Sequence, residues 1–89
     1  MEKNPSSTSE KSIALLGQAK AMAAQGNKVV AVALLSQYIA QALETETEEA
    51  HRLRGALLLQ MGDKRGAEED AEAVLRINSK LANGHFQLN

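Results

Sequence analysis

A chain of 89 residues can pool its apolar side chains into one core but not two, so a single domain is expected. The formal net charge is −1 with acids and bases interspersed, which gives no electrostatic case for binding a nucleic-acid backbone or an anionic membrane. Cysteine is absent and aromatics make up 2% of the residues, which excludes disulfides, thiolate catalysis and Cys-based zinc sites and favours close-packed Ala- and Leu-rich helices over a sheet.

Residues 1–8 are polar, hold the only proline at Pro5 and have no apolar residue beyond Met1, so they read as a flexible tail. No basic stretch followed by an apolar core and a small-residue cleavage site is visible, and a cytoplasmic location is the expectation. Ser7 and Glu10 have capping-box spacing, which starts a helix near Ser9. Ile13, Leu16, Ala19 and Ala23, flanked by Leu15 and Met22, then fall at helical and not strand spacing. Gln25-Gly26-Asn27 breaks this stripe, with Gly26 suited to the left-handed residue after a helix and Asn27 to the cap of the next.

The second helix is expected to reach about Leu43 and carries Val30, Leu34, Leu35, Tyr38, Ile39 and Ala42. Its uncharged run from Val29 to Leu43 is shorter than the roughly 20 apolar residues of a membrane span and is interrupted by Ser36, Gln37 and Gln41. Thr45 and Glu48 form a second capping-box candidate, opening a third helix through Ala50, Leu53, Leu57, Leu58 and Met61. Gly62-Asp63 ends it. A fourth helix runs from Lys64 to about Ile77, with Ala67, Ala71, Val74 and Leu75 on one face and Lys64–Glu68, Arg65–Glu69 and Glu72–Arg76 at salt-bridge spacing on the other. Asn78 and Ser79 are expected to stop that helix, and Leu81, Phe86 and Leu88 suggest a further terminal helix. The resulting division is a tail over 1–8 and a helical domain over 9–89, made of hairpins 9–44 and 46–78 and a terminal helix 80–89.

Two glycine-cornered pairs invite a search for a repeat. Gly26-Asn27-Lys28-Val29-Val30-Ala31 and Gly62-Asp63-Lys64-Arg65-Gly66-Ala67 share Gly, Asn/Asp, Lys, two variable residues and Ala, at an offset of 62 − 26 = 36. His51 and His85 echo each other at 85 − 51 = 34, which places about two extra residues of the first unit around Glu44 to Thr47. In this pattern the chain resembles the tetratricopeptide repeat family, whose unit is a helix–turn–helix of about 34 residues. Gly55 matches that family's small residue in the first helix, Leu58 its packing residue one turn on, Gly62 and Asp63 its turn, and Ala67 its second-helix alanine. His51, Arg54, Ala71 and Ser79 depart from the residues usual there: Trp, Leu, a large aromatic and Pro.

The resemblance implies an all-α fold of tandem hairpins stacked as a short right-handed solenoid, and a protein-interaction module that binds a peptide or helix on its concave face. Carrying the family's groove positions over gives Ile13, Leu16 and Lys20 from the first unit, Glu49, Arg52, Ala56 and Leu59 from the second, and Asn83 and Phe86 from the terminal helix. The positions of the family's carboxylate clamp read Leu16, Lys20, Leu53, Asn83 and Gln87, which is not the clamp pattern, so chaperone-tail recognition is not expected.

No nucleophile with a base, paired carboxylates, metal cluster or phosphate loop is apparent, so neither an enzyme nor a cofactor nor a metal is expected. His51 and His85 lack supporting ligands and read as packing or surface histidines. The second helix spreads Val29, Val30, Val32, Leu34 and Leu35 over more than one face, as a helix buried all round does. That pattern gives the alternative of a structural module that dimerises through Val32, Leu35 and Ile39.

Overall fold

The computed structural model describes residues 9–87, with side chains to residue 82. Ser7, Leu88 and the side chains of Asn83, His85 and Phe86 therefore lie outside the described residues. The described residues form four α-helices with no strand: α1 (Glu10–Ala24), α2 (Lys28–Gln41), α3 (Glu48–Gln60) and α4 (Lys64–Gln87), with a 3₁₀ turn at Glu44–Glu46 between α2 and α3.

α1 starts where the sequence places it. Ser9 is its cap, accepting from the Ser12 backbone N–H at 3.2 Å and satisfying one of the orphan donors of the first turn. Ser12 is itself buried, and its hydroxyl donates to Gln41 Oε1 at 3.2 Å, which ties the start of α1 to the end of α2.

The two tight turns are built alike. Gly26 has φ +85° and Gly62 φ +90°, the left-handed region that a side chain disfavours. Each ends its helix with the same pair of bonds: Asn27 N–H to Met22 O and Gly26 N–H to Ala23 O in the first turn, Asp63 N–H to Leu58 O and Gly62 N–H to Leu59 O in the second. The residue after each glycine then becomes the N-cap of the returning helix. Asp63 fills that role with its side chain, Oδ1 accepting from Gly66 N–H at 2.9 Å. Asn27 occupies the position without a side-chain cap bond, so the expected capping by Asn27 is corrected to a backbone role.

Two expected boundaries also change. The third helix is not opened by a Thr45–Glu48 box: Thr45 lies inside the 3₁₀ turn, and buried Thr47 is the capping residue, its hydroxyl donating to Glu44 O at 2.7 Å. The stop expected at Asn78-Ser79 does not occur, and hairpin 46–78 and terminal helix 80–89 are replaced by one continuous α4. Neither residue forces a positive φ or removes an N–H. Glu44 moreover holds Arg76 at 3.2 Å and Lys80 at 2.6 Å, two cations one helical turn apart that bracket the expected break. Arg76 thus pairs with Glu44 of the 3₁₀ turn instead of the expected Glu72.

Packing follows chain order, α1 on α2, α2 on α3 and α3 on α4, with α4 also meeting the 3₁₀ turn. The centre of the core is Ala19, Ala31, Leu35, Tyr38, Ala50 and Leu57, and the fully buried alanines let neighbouring helices approach closely. Tyr38 is the one buried aromatic of the described core, and its hydroxyl donates to Glu46 O at 2.9 Å, so its polar end is satisfied.

Candidate functional site

Gly55 of α3 sits directly against α4. A Cβ placed there would lie 3.2 Å from Asp70 Cβ and 3.5 Å from Ala67 O, so the glycine is what allows the two backbones to draw together. On one side of this contact lies a buried polar network. Asp70 is 2% exposed and accepts from Arg54 through Nε at 2.9 Å and Nη2 at 2.7 Å, and from His51 Nδ1 at 2.7 Å. Arg54 Nη1 donates to Ser36 Oγ at 3.0 Å, and the Ser36 hydroxyl donates to Val32 O at 2.9 Å. The chain of contacts therefore joins α2, α3 and α4.

Burial alone would raise the Asp70 pKa, but the hydrogen bonds from Arg54 and His51 and their charges outweigh it and hold the carboxyl below its ordinary value. A carboxylate has no proton to give, so Nδ1 of His51 carries the hydrogen of their bond. Ser36 is occupied by Arg54 and Val32 O, so it serves as a structural ligand of the guanidinium. On the exposed 3₁₀ turn, the hydrogen bonds of Lys80 and then Arg76 hold Glu44 below the usual carboxylate range.

On the other side of the contact, α3 and α4 enclose an open groove of about 550 Å³. Its α3 wall is His51, Arg52, Gly55, Ala56 and Leu59, and its α4 wall is Ala67, Ala71, Val74, Leu75 and Asn78. Apart from His51, Arg52 and Asn78 the lining is aliphatic or glycine. Leu59 and Leu75 stand at its rim, 58% and 67% exposed. His51 is 8% exposed, and among the described residues its Nε2 has no partner.

The residues expected to bind a partner divide between two places. Arg52, Ala56 and Leu59 come together in the groove, with Arg52 also held by Glu48 at 2.7 Å. Ile13, Leu16 and Lys20 lie on α1, and Lys20 reaches Glu49 of α3 in an exposed ion pair, which joins the two helices at their surface. Ile13 is 56% exposed, whereas Leu16 is half-buried against the core. Asn83 and Phe86 belong to the backbone of α4 and to no separate terminal helix.

The residues expected to self-associate are placed differently. Leu35 is fully buried in the chain's own core, and Val32 and Ile39 pack against it, so these three do not form a free face. The apolar character of α2 all round is explained by its position between α1 and α3. Its exposed large apolar residues are Val29 and Val30.

Sequence reasoning missed the His51–Asp70–Arg54 cluster. Its trace was visible in Arg54, a charged residue where the repeat pattern has leucine, and in Asp70 facing it across a two-residue turn. Among the described residues no helix is long and apolar enough to cross a membrane, and no group of three or more acidic or histidine side chains is placed to hold a metal ion. No protein-family model, curated protein or solved structure matches the chain.

Proposed function

We propose that the chain is a protein-interaction module of the tetratricopeptide-like kind, in which two hairpins stack, α1 and α3 share a receptor face, and a peptide or helix of a cytoplasmic partner lies on it. The observation that carries this reading is that α1 and α3, bridged by the Lys20–Glu49 pair, both expose apolar side chains: Ile13 at 56% on α1, Leu59 at 58% on α3, and the Ala56 wall beside Arg52. The ionisable cluster supports a binding role over a chemical one, since both Asp70 oxygens and the Ser36 hydroxyl are already engaged.

The test is affinity capture with the wild-type chain and with Ile13→Glu and Ala56→Glu. Both positions are exposed, so both variants should keep the wild-type helical signal. The expected result is one protein captured by the wild type and lost, about tenfold or more, with each variant. Identical capture by all three would overturn the receptor face.

Self-association is a second reading, favoured by the exposure of Val29 (67%) and Val30 (39%) at the start of α2. It predicts a concentration-dependent dimer by sedimentation that Val29→Lys dissociates; a monomer at high micromolar concentration removes it.

A further inference from the structure

The two glycine turns set the hairpins 62 − 26 = 36 residues apart, and carrying residues across that offset compares the two ends of the molecule. Gly55, Ala67, Ala71, Val74 and Leu75 of the α3–α4 groove correspond to Ala19, Ala31, Leu35, Tyr38 and Ile39. The first four counterparts are the buried core and the fifth packs against it, because α3 lies on α2 there. One face is thus covered by a helix in the first hairpin and open in the second.

The opposite end shows the reverse. A depression between α1 and α2 is lined by Lys11, Ala14, Leu15, Gln18, Gln37 and Gln41. Their counterparts are Thr47, Ala50, His51, Arg54, Ala73 and Ile77, all buried except Arg54, which is half-buried. Where the second hairpin carries residues for burial, the first carries three glutamines and a lysine, which water can cover. The depression at the α1–α2 end is thus lined mainly by polar side chains. The α3–α4 end is apolar and open.

We propose that the α3–α4 groove is the docking site for one amphipathic helix of another protein, seated there as α3 is seated on the first hairpin. The inference rests on the reading of the chain as a protein-binding module. At the floor of the groove three side chains are smaller than their covered counterparts: Gly55 for Ala19, Ala71 for Leu35 and Val74 for Tyr38. The incoming helix must therefore fill about 550 Å³ with bulky apolar residues at i, i+3 or i+4, and i+7. His51 adds a polar requirement. Its Nδ1 is committed to Asp70, so Nε2 is the ring atom left for a hydrogen bond, and the incoming helix supplies a polar group to meet it. A second copy stacked head to tail would present the glutamine-rich α1–α2 end, a poor match for an aliphatic groove.

Two synthetic peptides test the groove against the full chain by fluorescence anisotropy and amide chemical shifts. One copies residues 47–61, the helix that covers the counterpart face; the other is the same peptide with Ala50→Phe. Both are expected to saturate, the Phe-bearing peptide about tenfold tighter, since burying one aromatic is worth roughly that ratio. The shifts should centre on Ala67, Ala71 and Leu75, and binding should be lost with Ala71→Arg and Leu75→Glu, both at exposed positions, but kept with Ile13→Glu. Equal affinities, or no saturation by either peptide, would overturn the proposal. Loss with Ile13→Glu alone would move the helix to the α1–α3 face, overturning the groove while keeping the binding module. A dimer of the chain that Ala71→Arg dissociates would assign the groove to a second copy and overturn the partner helix.

Discussion

Asp70 is the residue on which the second hairpin is most dependent. It is buried, bound twice by Arg54 and once by His51, and no water can replace those donors without opening the α3–α4 contact. Asp70→Ala leaves three donor N–H groups of two residues without an acceptor, and the cost of breaking such a pair is about 3 kcal/mol, the low end of the usual range because Arg54 is partly exposed and can hydrate. Urea unfolding at neutral pH measures it. The sign of the pH effect follows from the lowered Asp70 pKa. Its contribution is fully present above the unfolded value of about 3.9 and is lost as pH falls through the folded one. The stability gap between wild type and Asp70→Asn should therefore narrow below about pH 4, and a gap that stays constant down to pH 2 would exclude Asp70 as the titrating group.

At the scale of the helices, the four elements and both glycine turns were legible in the sequence, since helical spacing and a positive-φ residue are local signals. What was not legible depended on distant partners. Asn78-Ser79 looks like a helix stop by composition, yet α4 runs through it, with Glu44, more than thirty residues away in sequence, pairing with Arg76 and Lys80 on either side. Leu35 looked available on an all-round apolar helix because periodicity cannot say which neighbours cover which face. The groove was legible as two separate stripes, Arg52, Ala56 and Leu59 on α3 and Ala67, Ala71, Val74 and Leu75 on α4, and that they line one groove beside a buried histidine emerged only from packing. Continuity of α4 makes Ser79→Pro a sharp probe: a proline there removes an interior helix bond and clashes with the preceding turn, costing about 3 kcal/mol. Amide exchange should speed up around Leu75 to Ser79. Unchanged exchange would mean that the helix breaks there in solution.

For the molecule as a whole, contacts link each helix chiefly to the next in the chain, so little loop entropy stands between the unfolded chain and its core. Folding is expected within about a millisecond, in the range of helical domains of low contact order, with a single exponential in temperature-jump or stopped-flow relaxation. Phases on the scale of seconds would point to an assembly step. The same sequential arrangement bears on how the domain can change size. At Gly26 and Gly62 one residue ends a helix and its neighbour starts the next, so an added residue there has nowhere to go without unwinding both arms. Between Gln41 and Glu48 the joint is longer and, although anchored through Glu44, Glu46 and Thr47, it exposes Thr45 on a short 3₁₀ turn, where extra length costs only the slow logarithm of a longer loop. Any growth or shrinkage of such a chain over time is thus channelled to one joint, with the two hairpins kept as fixed-length units.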